Sequence, residues 1–122
     1  MKLKVSVSDS ELEILEVLWD ANKALNAAQI RNVLNEHKSW ERTTVLTLIQ
    51  RLLKKEVIKQ EKREVYYYEP CIEREEYIRE ETKNFVQKFF KGNIKNMAAA
   101  LVNSDSLTKE DIEELRDYFN QK

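Results

Sequence analysis

Apolar residues recur at helical spacing through the first third of the chain. Leu12, Leu15, Val17, Leu18 and Trp19 form a broad apolar face that predicts a helix from about Asp9 to Ala21. Ser8 stands before it with Glu11 three residues later, and Val7 and Leu12 flank the pair, the arrangement of a hydroxyl cap, a returning carboxylate and a hydrophobic staple. Leu25, Asn26, Gln29 and Ile30 repeat the device ahead of a second helix, Ala27 to about Glu36, with Ile30, Val33 and Leu34 inward. The Lys23-Ala24-Leu25 link between the two is long enough for one sheet contact. A third helix is expected from near Trp40 to Lys55, with Val45, Leu48, Ile49, Leu52 and Leu53 on one face and two lysines at its negative end.

The period then changes. Val57–Glu61 and Val65–Tyr68 are β-branched and aromatic runs separated by Lys62-Arg63-Glu64, which reads as a hairpin, and Pro70 closes the unit because it cannot donate a ladder hydrogen bond. Three helices followed by a hairpin make a winged helix-turn-helix, whose third helix is the one offered to the major groove. A long helix is expected from Glu73 to Lys91 with Gly92 at its left-handed end, a short one over Ile94 to Val102, and a last one from Lys109 to about Asn120 behind the weaker cap Leu107, Thr108, Asp111, Ile112. The fold class is mainly α with a small β-hairpin: a winged helix in residues 1–70 and a helical region in residues 71–122. That second region has few ways to bury its apolar stripes alone. Tyr77, Ile78, Phe85, Phe89, Met97, Leu101, Ile112, Leu115 and Phe119 are therefore expected to dimerise the chain.

Composition removes several function classes. One glycine and one proline favour helices, and 42% apolar residues suffice for a core. No apolar run is long enough to span a membrane, and the N-terminus lacks the pattern of a secretory signal, so the chain is expected in the cytoplasm. Cys71 and His37 are the only residues of their types and make no zinc or haem set, so no metal or cofactor is expected. The glutamates from Glu73 to Glu81 alternate with Arg74, Arg79 and Lys83, as on a salt-bridged helix face. No clustered nucleophile or acid/base pair points to an enzyme.

The net charge of −1 conceals an asymmetry. Lys38 to Arg63 carries eight basic residues against three acids, whereas Ser8 to Asp20 carries five acids and no base. If the third helix buries Val45, Leu48, Ile49 and Leu52, then Thr43, Thr47, Gln50, Arg51 and Lys54 turn outward, with Arg42, Thr44 and Leu46 on the flanks. Threonine can bond phosphate or base edges and arginine can pair with guanine or clamp phosphate, while Lys59, Lys62 and Arg63 of the hairpin would meet the neighbouring backbone. A winged helix can also bind protein rather than DNA, but apolar or acidic residues would then be expected on that outward face.

The run from Trp40 through Lys55 resembles the recognition helix of the BlaI/MecI penicillinase-repressor family, where W-x-x-x-T-V/I-x-T-x-x-x-R-L is typical. Ser8 to Trp19, Tyr66 to Pro70 and Ile112 to Asp117 are similar too. The resemblance implies a homodimer on a palindromic operator, repressing genes of β-lactam resistance or other responses, with operator contact inherited by Thr44, Thr47 and Arg51. Arg42 and Thr43 differ from many members and would alter which bases are read. In penicillinase repressors a sensor-linked protease cuts an Asn-Phe bond before the last helix. Here Ala100-Leu101 aligns with it, a departure that argues against that mode of induction. The cysteine cluster of related copper-responsive repressors is absent.

Overall fold

The structure, a computed structural model, describes residues 6–121; the reading of the extreme N-terminus as carrying no secretory signal falls partly on residues 1–5, outside that range. Two compact units divide after Glu80. The first contains α1 (Asp9–Ala21), β1 (Leu25–Asn26), α2 (Ala27–Leu34), α3 (Arg42–Lys54), β2 (Ile58–Lys62), β3 (Tyr66–Pro70) and the start of α4 (Arg74–Phe90). The second holds the rest of α4 with α5 (Ile94–Asn103) and α6 (Lys109–Asn120).

Side-chain capping sets three helix starts as expected. Ser8 with Glu11, Asn26 with Gln29, and Thr108 with Asp111 each form a reciprocal capping box. Val7 and Leu12 both pack on the core, as a staple does. The second helix ends at Leu34, short of Glu36, and it buries Ile30 and Leu34 while Val33 is exposed at 43% instead of inward. The third starts at Arg42, two residues after Trp40.

The hairpin belongs to a three-stranded antiparallel sheet of order β1-β3-β2, in which Leu25 pairs with Tyr68 and Ile58 with Pro70. Its tip is Arg63-Glu64-Val65, one residue beyond the expected turn, so β3 begins at Tyr66. Pro70 closes the central strand as its last residue. Cys71 donates its N–H to the Val57 carbonyl, so the alternating Pro70 nitrogen points the other way, where β1 has already ended. The chain enters β2 through Glu56, left-handed at φ 63°. The Glu56 and Val57 N–H groups bond the Leu53 and Leu52 carbonyls in a Schellman ending, with Val57 and Leu52 fully buried.

Ile14, Leu15 and Leu18 of α1, Ile30 of α2, and Val45, Ile49 and Leu52 of α3 form the centre of the core. The first unit reaches beyond the expected boundary at residue 70 because α4 begins on α1. Trp19 donates its indole N–H to the Ile72 carbonyl at 2.9 Å, and its ring meets Tyr77 at 5.6 Å. Arg74 lies over the same indole and pairs with Glu16 and Asp20, so its partners are on α1 rather than on its own helix. At 6% exposure Tyr77 is a core residue of this unit, which corrects its assignment to a subunit interface. In the second unit, Lys91 and Gly92 end α4 with consecutive positive φ values, so the left-handed turn starts one residue before the glycine.

Glu11 has a second role that its local spacing does not announce. The residue is 2% exposed, and Oε1 accepts from the Ser8 N–H and from Lys55 Nζ at the end of α3. Lys55 also donates to the Ser6 carbonyl at 3.0 Å. Burial alone would raise the Glu11 pKa. The Lys55 bond, the Ser8 N–H and the positive charges of Lys55 and Arg51 outweigh it and hold the carboxyl below its usual range. A lowered folded pKa contributes stability that is in place above the ordinary carboxylate value and is lost as pH falls through the folded one. Glu11→Gln keeps an oxygen for the cap but removes the carboxylate charge opposite Lys55, and should cost about 1–3 kcal/mol at neutral pH. Urea unfolding at neutral and acid pH checks this: the gap between wild type and variant should close on acidification, and a constant gap would refute the assignment.

Candidate nucleic-acid interface

Only the backbone caps the start of α3: Glu41 occupies the N-cap position with no side-chain bond. The preceding turn is held from α2 instead. Asn35 accepts the Trp40 N–H at 3.0 Å and donates to the Trp40 carbonyl at 3.2 Å, while Arg31 Nε donates to the same carbonyl at 3.0 Å. With Trp40 fixed and Val45, Leu48, Ile49 and Leu52 buried, the rotation of α3 is set.

That rotation exposes every predicted residue of the helix: Arg42, Thr43, Thr44, Thr47, Arg51 and Lys54, with Gln50 beside them. Thr43, Thr44, Thr47 and Arg51 line one shallow concavity at the edge of Leu48. Arg42 is not part of it. It lies on the other flank of α3, in a separate groove with Leu46 and the hairpin. Among the described residues, no carboxylate lies within salt-bridge reach of Arg42, Arg51 or Lys54.

The three hairpin cations do not act as one group. Lys59 pairs with Glu69 across the ladder at 3.2 Å, and Arg63 pairs with Glu61 at 2.8 Å while lying 4.4 Å above the Tyr67 ring. Lys62 lies over the Tyr66 ring instead. Period-two alternation explains the split. Lys62, Tyr66 and Tyr68 share the face that turns to the helices, and Lys59, Glu61, Tyr67 and Glu69 share the other. All three cations are exposed, but two are already neutralised by carboxylates of the hairpin itself. Phosphate can still displace exposed pairs, which are worth about 0–1 kcal/mol.

Arg31 and Asn35, which position Trp40, and Tyr66 and Tyr67, which carry the hairpin cations, were not among the residues singled out from the sequence. The run of three tyrosines after the basic turn could have flagged the pair; nothing local marks the other two. Cys71 is exposed. Partial burial raises its thiol pKa despite the opposing charge of Lys59, which keeps it a poor nucleophile. His37 is exposed, and among the described residues no cluster of three or more metal-ligating side chains occurs.

In the remaining helices, Ile78, Phe85, Phe89, Leu101, Ile112, Leu115 and Phe119 are exposed and Met97 is half-buried. Ile94, Val102 and Tyr118 are also exposed and extend the set. Phe85 meets Phe89 at 5.0 Å and Phe90 at 5.9 Å. The Ala100-Leu101 bond lies inside α5. No helix among the described residues is long and apolar enough to cross a membrane.

The penicillinase repressor family model matches residues 7–121. The penicillinase repressor of Bacillus licheniformis is 30% identical over 116 residues, covering 94% of this chain and 90% of the relative. The methicillin resistance regulatory protein MecI of Staphylococcus aureus is 31% identical over 117 residues, covering 95% and 94%. Among solved structures, the DNA-binding domain of the repressor BlaI matches with TM-score 0.55 and 31% identity, over 63% of this chain and 94% of that one. Bacillus licheniformis BlaI in monomeric form, in complex with the blaP half-operator, matches over the same shares with TM-score 0.54.

Replacing Asn35 by Ala removes both of its bonds to Trp40 and should destabilise the fold by about 1–2 kcal/mol, a loss urea denaturation would register. Unchanged stability would mean that Arg31 alone holds the turn.

Proposed function

The chain belongs to the penicillinase repressor family, whose members are transcriptional repressors and not enzymes, and from that premise we propose that it acts as a homodimer on a palindromic operator in the cytoplasm. The observation that carries this reading is the concavity on the exposed side of α3, where three threonines stand together with Arg51, which has no carboxylate partner among the described residues. The likeness to a repressor domain solved with a half-operator supports placing α3 in the major groove. Thr43, Thr44 and Thr47 meet bases or phosphate, Arg51 reads a base edge or clamps phosphate, and Lys54 and Arg42 approach the two flanking backbones. Lys62, on the helix-facing side of the wing, makes the principal wing contact with phosphate. Lys59 and Arg63 contribute only after their carboxylates are displaced.

The exposed apolar residues of α4, α5 and α6 support dimerisation, since burying such a set is the usual outcome for a soluble chain. The names of the relatives point to β-lactam resistance genes as the regulated class. Induction by a sensor-linked protease has no support from residues 100–101, where Ala-Leu inside a helix replaces Asn-Phe in the alignment.

The direct test is fluorescence anisotropy of the protein with its own upstream DNA and with a scrambled duplex at two salt concentrations. Tight, salt-sensitive preference for the upstream DNA is expected. Weak binding indifferent to sequence would overturn the reading and favour a protein-binding module. In the same assay Arg51→Ala should lose affinity for the upstream DNA by about 1–3 kcal/mol and much less for the scrambled duplex. Lys62→Ala should weaken both equally and reduce the salt slope by about one. Equal losses on both duplexes for Arg51→Ala would remove its reading role.

A chain ending after Gly92 should sediment as a monomer and bind operator about 100-fold more weakly or worse. A dimeric truncation would place the interface elsewhere.

A further inference from the structure

The groove on the Arg42 flank of α3 has a composition that DNA binding does not account for. It encloses about 580 Å³ between α2, α3 and the wing, within the roughly 300–1,000 Å³ typical of small-molecule sites. Its apolar lining comes from Val45 and Leu46 of α3 and from Val65, Tyr66 and Tyr68 of the wing. Val65 and Tyr66 are exposed, although they sit at a wing tip where a purely phosphate-binding surface would carry polar groups. Exposed apolar side chains gathered in a concavity mark a ligand or partner more often than a nucleic-acid backbone.

Two arginines line the same groove, and no acidic residue does. Arg31 is held by its Nε bond to the Trp40 carbonyl, so its position is fixed before any ligand arrives. Arg42 has no carboxylate partner among the described residues. Asn32 adds a polar group at the rim.

We propose that this groove binds a small organic anion with an apolar body, and that its occupation excludes DNA by taking Arg42 and blocking the approach between α3 and the wing. The anionic group pairs with Arg31 and Arg42 while the apolar body lies against Leu46, Val65 and Tyr66. The regulatory part rests on the operator-binding role of α3; the ligand site does not. Because the ligand and the operator backbone need the same arginine, each weakens the other's binding.

Anilinonaphthalene sulfonate, an aromatic anion, serves as the probe. It is titrated into the protein without DNA while methyl resonances of the groove residues Val45, Leu46 and Val65 and of Leu101, Ile112 and Leu115 are followed by NMR. Saturable shifts of the groove methyls are expected, and they should be absent in Ala28→Phe, which fills the groove from α2, and in Val65→Asp, which places a carboxylate against the anion. Operator affinity is then measured with and without saturating probe. Wild type should bind operator about five-fold more weakly or worse with the probe present. Ala28→Phe should show the same operator affinity with and without the probe. Shifts confined to the helices after Glu80, or persisting in both variants, would overturn the site. Shifts in the groove with unchanged operator affinity would overturn the exclusion of DNA. Absence of operator binding in every sample would instead defeat the repressor reading, and the methyl shifts would still decide the site.

Discussion

Burial of Val45, Leu48, Ile49 and Leu52 is the constraint from which the exposed surface of α3 follows. A helix buries one face only by presenting the opposite one, so fixing these residues against α1 and α2 turns Thr43, Thr47 and Arg51 to solvent. Both ends of α3 are then secured from outside the helix. Asn35 and Arg31 hold Trp40 ahead of its first turn, and Glu11 holds Lys55 just after its last. The exposed face of α3 is thus carried on an element whose rotation and termini are determined by neighbours, the kind of support that the proposed base recognition requires.

Electrostatics sharpen this division. Of the eight basic residues between Lys38 and Arg63, four have carboxylate partners: Lys38 with Glu13, Lys55 with Glu11, Lys59 with Glu69 and Arg63 with Glu61. The other four, Arg42, Arg51, Lys54 and Lys62, have none among the described residues, and they lie on α3 and on the helix-facing side of the wing. A net charge of −1 is therefore no obstacle to binding a polyanion. Four acids of α1, Glu11, Glu13, Glu16 and Asp20, and two of the wing, Glu61 and Glu69, are each paired with a cation other than these four.

Much of this was legible because it is written in local hydrogen bonding. A capping box joins residues three apart, so α1, α2 and α6 could be started from Ser8, Asn26 and Thr108, and the apolar stripe of α3 named its outward threonines. What escaped depends on contacts distant in sequence or on register. Glu11 and Lys55 are 44 residues apart, and Trp19 reaches Ile72 across 53; no spacing rule anticipates either. Tyr77 looked like part of a dimer stripe because its helix is amphipathic, but the first turns of α4 are spent on Trp19 and Arg74 anchors them to α1. The wing cations separated onto two faces because a strand reverses orientation with each residue. That parity is set by the left-handed Glu56 and a turn without glycine, neither of which has a reliable signature.

Arg42 and Arg51 are nine residues apart, which at about 100° per residue places them on opposite sides of α3. They share no partner, so changes at the two positions should combine additively. For a repressor lineage that separation matters historically. With the operator contacts proposed above, one flank can drift, gaining or losing preference for a base or a backbone contour, while the other preserves enough affinity for regulation to continue. A descendant gene can therefore acquire a new target through single steps that remain functional, without the paired compensating changes that a shared contact would demand.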